Sequence, residues 1–177
     1  MDEPTATSYL NDAVMIFRSI CKLSLKDLHN PMTNYTYKSK LLSLELILAV
    51  IDNPGSQFAS RKDFVDIIRS NLCESLIKNS VSQDKTIFAL TLSIFLSLVT
   101  NFKDHLKYEI GVFLEQIFLP ILESESRDYH HKMLVLQVLF RMTSNSKNTV
   151  ELFINYDCDV EERDIFARII EMLARIA

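Results

Sequence analysis

Three stretches of similar composition recur along the chain: Leu42-Ser43-Leu44-Glu45-Leu46-Ile47-Leu48, Leu90-Thr91-Leu92-Ser93-Ile94-Phe95-Leu96 and Leu134-Val135-Leu136-Gln137-Val138-Leu139-Phe140. Residue 42 aligns with 90 and 90 with 134, intervals of about 48 and 44 residues, close to the roughly 40–47 of HEAT and armadillo repeats. A helix that is apolar almost all round cannot serve as an outer layer, so each stretch must lie between neighbours. A more amphipathic segment follows each one. Stacking such pairs buries a continuous core, so the expected fold is all-α: an α-solenoid of HEAT/armadillo-like stacked helical hairpins. The competing reading is a plain helical bundle whose core helices are Leu-rich.

Outward from these stretches, helical periodicity is nearly continuous. Val14, Phe17, Ile20, Cys21 and Leu25 define an apolar stripe near the start. Leu41, Leu44, Leu48 and Ile51 define the next, which ends at Asn53-Pro54-Gly55, where Pro and Gly suit the second and third positions of a type II turn. Phe64, Ile67, Ile68, Leu72, Leu76 and Ile77 mark a third helix. The pattern predicts a fourth over 82–101 and a fifth from Asp104 that Pro120 kinks or ends. A sixth spans 129–143 and stops at Ser144-Asn145-Ser146; a short one covers 147–154 and a last one 160–177. The segment from Asp27 to Lys38, with Asn30-Pro31 and Asn34, reads as a loop.

The composition narrows the functions. Two glycines among 177 residues are too few for phosphate-cradling loops, and they favour long helices. A net charge of −4 lacks the basic surface that neutralising many phosphates requires, so nucleic acid is not an expected partner. Cys21, Cys73 and Cys158 are odd in number and far apart, two of them within apolar helical patterns; they read as reduced thiols of a cytosolic or nuclear protein. The sequon Asn34-Tyr35-Thr36 carries no weight in that compartment. The polar N-terminus does not read as a signal peptide, and residues 1–8 read as a linker or vector-derived tail ahead of a domain over 9–177. The richest apolar stretch, Ile87 to Val99, is short and interrupted by Thr91, Ser93 and Ser97.

A search for chemistry is mostly negative. No pair of Cys at short spacing and no His-Glu-x-x-His offers a zinc site, and no cofactor is expected. His130 and His131 point about 100° apart on a helix and read as partly exposed residues near its start. Asp157, Asp159 and Glu161 alternate like the opening of a calcium loop, but Glu162 stands where that loop needs Gly. Walker loop, nucleophile elbow and dinucleotide fingerprint are all missing. A Cys-His pair could meet only in space, and Cys21 and Cys73 read as buried structural thiols. Lys38 with Lys40, and Lys103 with His105 and Lys107, form two basic spots. They read either as solvated helix ends or as contacts for an acidic partner or anionic lipid.

The segment Asn155-Tyr156-Asp157-Cys158-Asp159 joins the last two helices and is polar, aromatic and compact at once. Asp159 and Glu162 have capping-box spacing. Asn155 and Asp157 can accept hydrogen bonds from free amides at a helix start, and Tyr156 can bury its ring while its hydroxyl stays bonded. On physical grounds this is an inter-helix latch, with a docking surface as the functional alternative.

That segment resembles the HUS box of the large Arf guanine-nucleotide exchange factors of the BIG type, which reads Asn-Tyr/Phe-Asp-Cys-Asp/Asn and is met at all positions from Asn155 to Asp159. HUS denotes homology upstream of the catalytic, Sec-seven-type exchange domain. Phe17-Arg18-Ser19-Ile20-Cys21-Lys22-Leu23-Ser24, Ser39-Lys40-Leu41-Leu42-Ser43-Leu44-Glu45-Leu46 and Leu92-Ser93-Ile94-Phe95-Leu96 with Asn101-Phe102-Lys103-Asp104-His105-Leu106-Lys107 are similar to further segments of that family, in order. The likeness covers about Leu10 to Ala177. It implies a helical-repeat regulatory domain that associates through its box with an N-terminal dimerisation and cyclophilin-binding (DCB) domain. It also implies contact in some members with activated Arf-family GTPases, and cytoplasmic work at the periphery of Golgi, trans-Golgi or endosomal membranes. The Phe-Arg-Leu-Pro-Gly-Glu motif that carries the exchange glutamate is missing from this sequence, so no enzyme activity is expected of it. The alternative function is a membrane- or anionic-lipid-binding helical module, or a general armadillo-type adaptor.

Overall fold

A computed structural model describes residues 3–26, 34–125, 128–158 and 164–176. All regular structure among these residues is helical. They divide into two compact units, one up to Phe102 and one from Lys103.

The first unit contains α1 (Glu3–Ser24), α2 (Asn34–Asp52), α3 (Ser56–Ser60), α4 (Lys62–Ile67), a π-helical turn at Ile68–Leu72, α5 (Cys73–Asn79) and α6 (Lys85–Asn101). Helix α2 is flanked by α1 and α6, the position its all-round apolarity requires. Leu44, Ile47 and Ile51 of α2 are sealed from solvent together with Cys21, Ile68, Leu72, Phe88 and Leu92. Phe58 stacks on Phe64 with ring centroids 4.3 Å apart and meets Phe17 and Phe102 edge-on. Helix α6 begins at Lys85, later than the expected start at Ser82, because Asp84 caps it: its carboxylate accepts from the amides of Thr86 and Ile87. The carbonyls at the end of α1 are served from elsewhere in the chain. Lys40 Nζ donates to Lys26 O at 2.9 Å and Asn79 Nδ2 to Ser24 O at 3.2 Å.

Two expectations fail here. The loop expected from Asp27 to Lys38 ends early, because α2 already begins at Asn34; residues 27–33 lie outside the described ones. The type II turn at Asn53-Pro54-Gly55 is also not made. It needs positive φ at Gly55, yet Gly55 has φ −62° and ψ 154° and serves as the N-cap of α3.

The second unit contains a 3₁₀ turn at Lys103–His105, α7 (Lys107–Phe113), a π turn at Leu114–Phe118, α8 (Leu119–Glu123), α9 (Tyr129–Thr143), α10 (Ser146–Tyr156) and α11 (Ile165–Ile176). Pro120 does not end its helix, one of the two outcomes expected of it. It follows directly on the π turn, where the amide of Leu119 bonds back to Leu114 O, and it occupies the first turn of α8, where its missing N–H costs least. Helix α1 starts within the stretch expected to be a tail. Ala177, like 159–163, falls outside the described residues.

The repeat is legible in burial. Ser43, Thr91 and Val135 are buried at one aligned position and Ile47, Phe95 and Leu139 at another, whereas Glu45, Ser93 and Gln137 are all exposed. The π turns repeat too: Ile68–Leu72 precedes the apolar helix α6 as Leu114–Phe118 precedes the apolar helix α9. Within each unit the packing is thus solenoid-like, helix pair by helix pair.

Candidate functional site

The five-residue segment is not the pure linker expected. Asn155 and Tyr156 form the last turn of α10, and Asp157 and Cys158 follow it. Helix α10 starts where Asn145 accepts from the amide of Lys147 at 2.9 Å, and it ends with the amide of Asp157 donating to Phe153 O.

Tyr156 is buried, 3% exposed, and its hydroxyl donates to Lys107 O at 2.9 Å, pinning the end of α10 to the start of α7. Its ring lies where any side chain at Gly111 would go: a Cβ built there would stand 2.9 Å from Cε1. Gly111 is needed here for this close approach, not for its backbone freedom.

Asp157 spans the gap to the next helix. Its Oδ1 accepts from the amide of Phe166 at 2.7 Å and its Oδ2 from that of Ala167 at 2.8 Å. One carboxylate therefore satisfies two orphan donors at the start of α11, where the helix dipole also favours negative charge. Such a cap contributes about 0.5–2 kcal/mol. The residue just before α11, Asp164, has φ 50°, an uncommon conformation outside glycine. Its carbonyl accepts from the amide of Arg168. Arg168 also pairs with Glu123 of α8 at 3.2 Å, and Phe153 meets Phe166 with ring centroids 6.0 Å apart.

Of the remaining predicted residues, Asn155 is half-buried and Cys158 exposed, while Asp159 lies outside the described residues together with Glu161 and Glu162. The capping box and the calcium-loop spacing therefore fall outside them as well. The latch reading holds for Tyr156 and Asp157, although the helix amides Asp157 serves are nine and ten residues away.

The basic spots fare differently. Lys38 is exposed, but Lys40 is buried on the end of α1 and offers no surface charge. Lys103 is engaged by Glu151 and Asn148 of α10, and its hydrogen bond holds the Glu151 carboxyl below the usual carboxylate value. His105 and Lys107 are exposed. His131 corrects the reading of the histidine pair: it is buried beside the Asp128 cap of α9, and only His130 is exposed. Burial pushes the Cys21 thiol up to about 12, with Cys73 adding to the shift.

Sequence reasoning missed Gly111, Lys107 and the amides of α11 as partners of the box. Only the scarcity of glycine hinted that Gly111 had a specific task. Among the described residues no group of His, Cys, Asp and Glu could hold a metal, and no helix is long and apolar enough to cross a membrane.

The described residues thus form an all-helical scaffold in which Tyr156 and Asp157 lock α10 to α7 and α11. Comparison with known proteins places it more closely. Residues 9–165 match the family model of the Mon2/Sec7/BIG1-like HUS domain. Brefeldin A-inhibited guanine nucleotide-exchange protein 1 of Rattus norvegicus and of Homo sapiens are each 42% identical over 169 residues, 94% of this chain and 9% of theirs. Brefeldin A-inhibited guanine nucleotide-exchange protein 3 of Arabidopsis thaliana is 41% identical over 167 residues, 94% of this chain and 10% of its own. The chain belongs to the HUS-domain family of the large BIG-type exchange factors. It spans about a tenth of the length of these relatives, and the region it matches is a non-catalytic part of them.

Proposed function

We propose that this chain is a regulatory docking domain of a large Arf guanine-nucleotide exchange factor. Its role is to bind the DCB domain, within the same polypeptide or between subunits, and thereby control recruitment of the exchange factor to Golgi or endosomal membranes. Activated Arf-family GTPases are the second class of partner in this reading, and the parent protein works in the cytoplasm, peripheral to the membrane.

One observation carries the proposal. The box fixes α10 and α11 from behind, and the outward side of this pair keeps Val150, Phe153, Ile154 and Ile170 exposed. Val150, Phe153 and Ile154 share one helical face, and clustered exposed apolar residues of this kind mark interaction surfaces. The box thus acts as the brace of a docking surface, with Cys158 at its edge. Direct lipid binding draws less support, since Lys40 is buried and Lys103 is engaged by Glu151.

The test is capture of the chain by a separately expressed DCB domain. Phe153→Asp, an exposed change, is expected to abolish capture and leave the unfolding midpoint unchanged. Asp157→Ala is expected to weaken both. Wild-type capture by both variants refutes the proposal.

A further inference from the structure

The internal repeat identifies two uncovered faces as halves of one interface. In the first unit α6 packs on α2: Ser97 donates to Asp52 Oδ1 at 2.9 Å and Asn101 Nδ2 to Ile51 O at 2.9 Å. On α6 the contact face therefore holds Ile94, Ser97, Leu98 and Asn101, which share one side of a helix. On α2 it holds Leu41, Leu44 and Leu48, which share the side of Asp52.

Carried through the alignment of the three apolar stretches, each half recurs without its partner. The residues of α2 that correspond to Ile94 and Leu98 are Leu46 and Val50, and these are exposed by 44% and 37%. By contrast Ile94 and Leu98 are buried. The residues of α9 that correspond to Leu41, Leu44 and Leu48 are Met133, Leu136 and Phe140. Phe140 is 73% exposed, and Tyr129 extends the same stripe at 75%. Their counterparts in the covered half, Leu48 and Tyr37, are half-buried.

We infer that α9 of one copy packs on α2 of a second copy, repeating between molecules the contact that α2 and α6 make within one. The charges agree: α9 contains Lys132, Arg141 and the exposed His130 and no carboxylate, while the exposed Glu45 borders the open stripe of α2, with Lys38 near its start. The two faces differ, so two copies joined by one such contact leave one face of each kind open. It goes beyond the docking proposed above, which uses α10 and α11.

Sedimentation of the whole chain across a concentration series tests the inference. Mass is expected to rise with concentration without stopping at a dimer. Leu46→Asp and Phe140→Asp, both at exposed positions, each weaken association by roughly tenfold or more. The decisive experiment mixes the two variants. Each retains one intact face, so an equimolar mixture forms a dimer that grows no further. A wild-type chain that stays monomeric overturns the inference, as does a closed dimer untouched by either substitution. A mixture no more associated than its components overturns it too, with circular dichroism showing both variants folded.

Discussion

The ring of Tyr156 occupies the space a side chain at residue 111 would fill, so Gly111 and Tyr156 form a single packing unit between α7 and α10. Their coupling gives the first prediction. Gly111→Ala should gain about 1 kcal/mol of helix propensity and lose about 1–3 kcal/mol to overpacking, for a net loss. In a Tyr156→Leu background the clash is gone and the same substitution should stabilise. Urea unfolding of the four proteins of this cycle measures the sign reversal; equal effects in both backgrounds would show that the two residues are independent.

Asp157→Asn should cost about 0.5–2 kcal/mol, since the amide oxygen can serve only one of the two amides that the carboxylate serves. The loss should be local. Hydrogen exchange at Phe166 and Ala167 is expected to accelerate while α9 keeps its protection. Uniform acceleration throughout the second unit would contradict a capping role.

Lys103 holds Glu151 below its ordinary value of 4.5, so the unfolded state binds the proton more readily than the folded one. The stabilisation is present above pH 4.5 and is lost as pH falls through the lower folded value. Glu151→Gln should therefore lower the urea midpoint at neutral pH and match the wild type in acid. A difference that persists undiminished in acid would rule out the ion pair as its origin.

Cys21 shows the opposite sign. Its folded value of about 12 exceeds the ordinary 9.0, so stability should fall as pH rises between the two. At neutral pH a maleimide should label the exposed Cys158 and leave Cys21 unmodified until the chain unfolds. Mass spectrometry of the labelled native protein reads both sites, and early labelling of Cys21 would contradict its burial.

Much of the fold was legible in the local sequence. Helix α9 has the bounds expected for it, and the aligned apolar stretches share buried positions at 43, 91 and 135 and at 47, 95 and 139, because a 3.6-residue period reports the buried side of a helix directly. The box was legible as a latch, since an Asp beside a helix junction and a Tyr with an apolar ring have few other uses. Its partners were not. The amides of Phe166 and Ala167 and the carbonyl of Lys107 are set by how helices meet, which no local pattern encodes.

The same division holds for the chain as a whole. Its sequence alone determined an all-helical, repeat-built, glycine-poor protein, because composition and period act residue by residue along the backbone. Tertiary structure decided that Lys40 and His131 are buried, that Pro120 is absorbed behind a π turn, and that the stripes of α2 and α9 lie open. These outcomes depend on which surface lies opposite each side chain, and only packing in three dimensions supplies that.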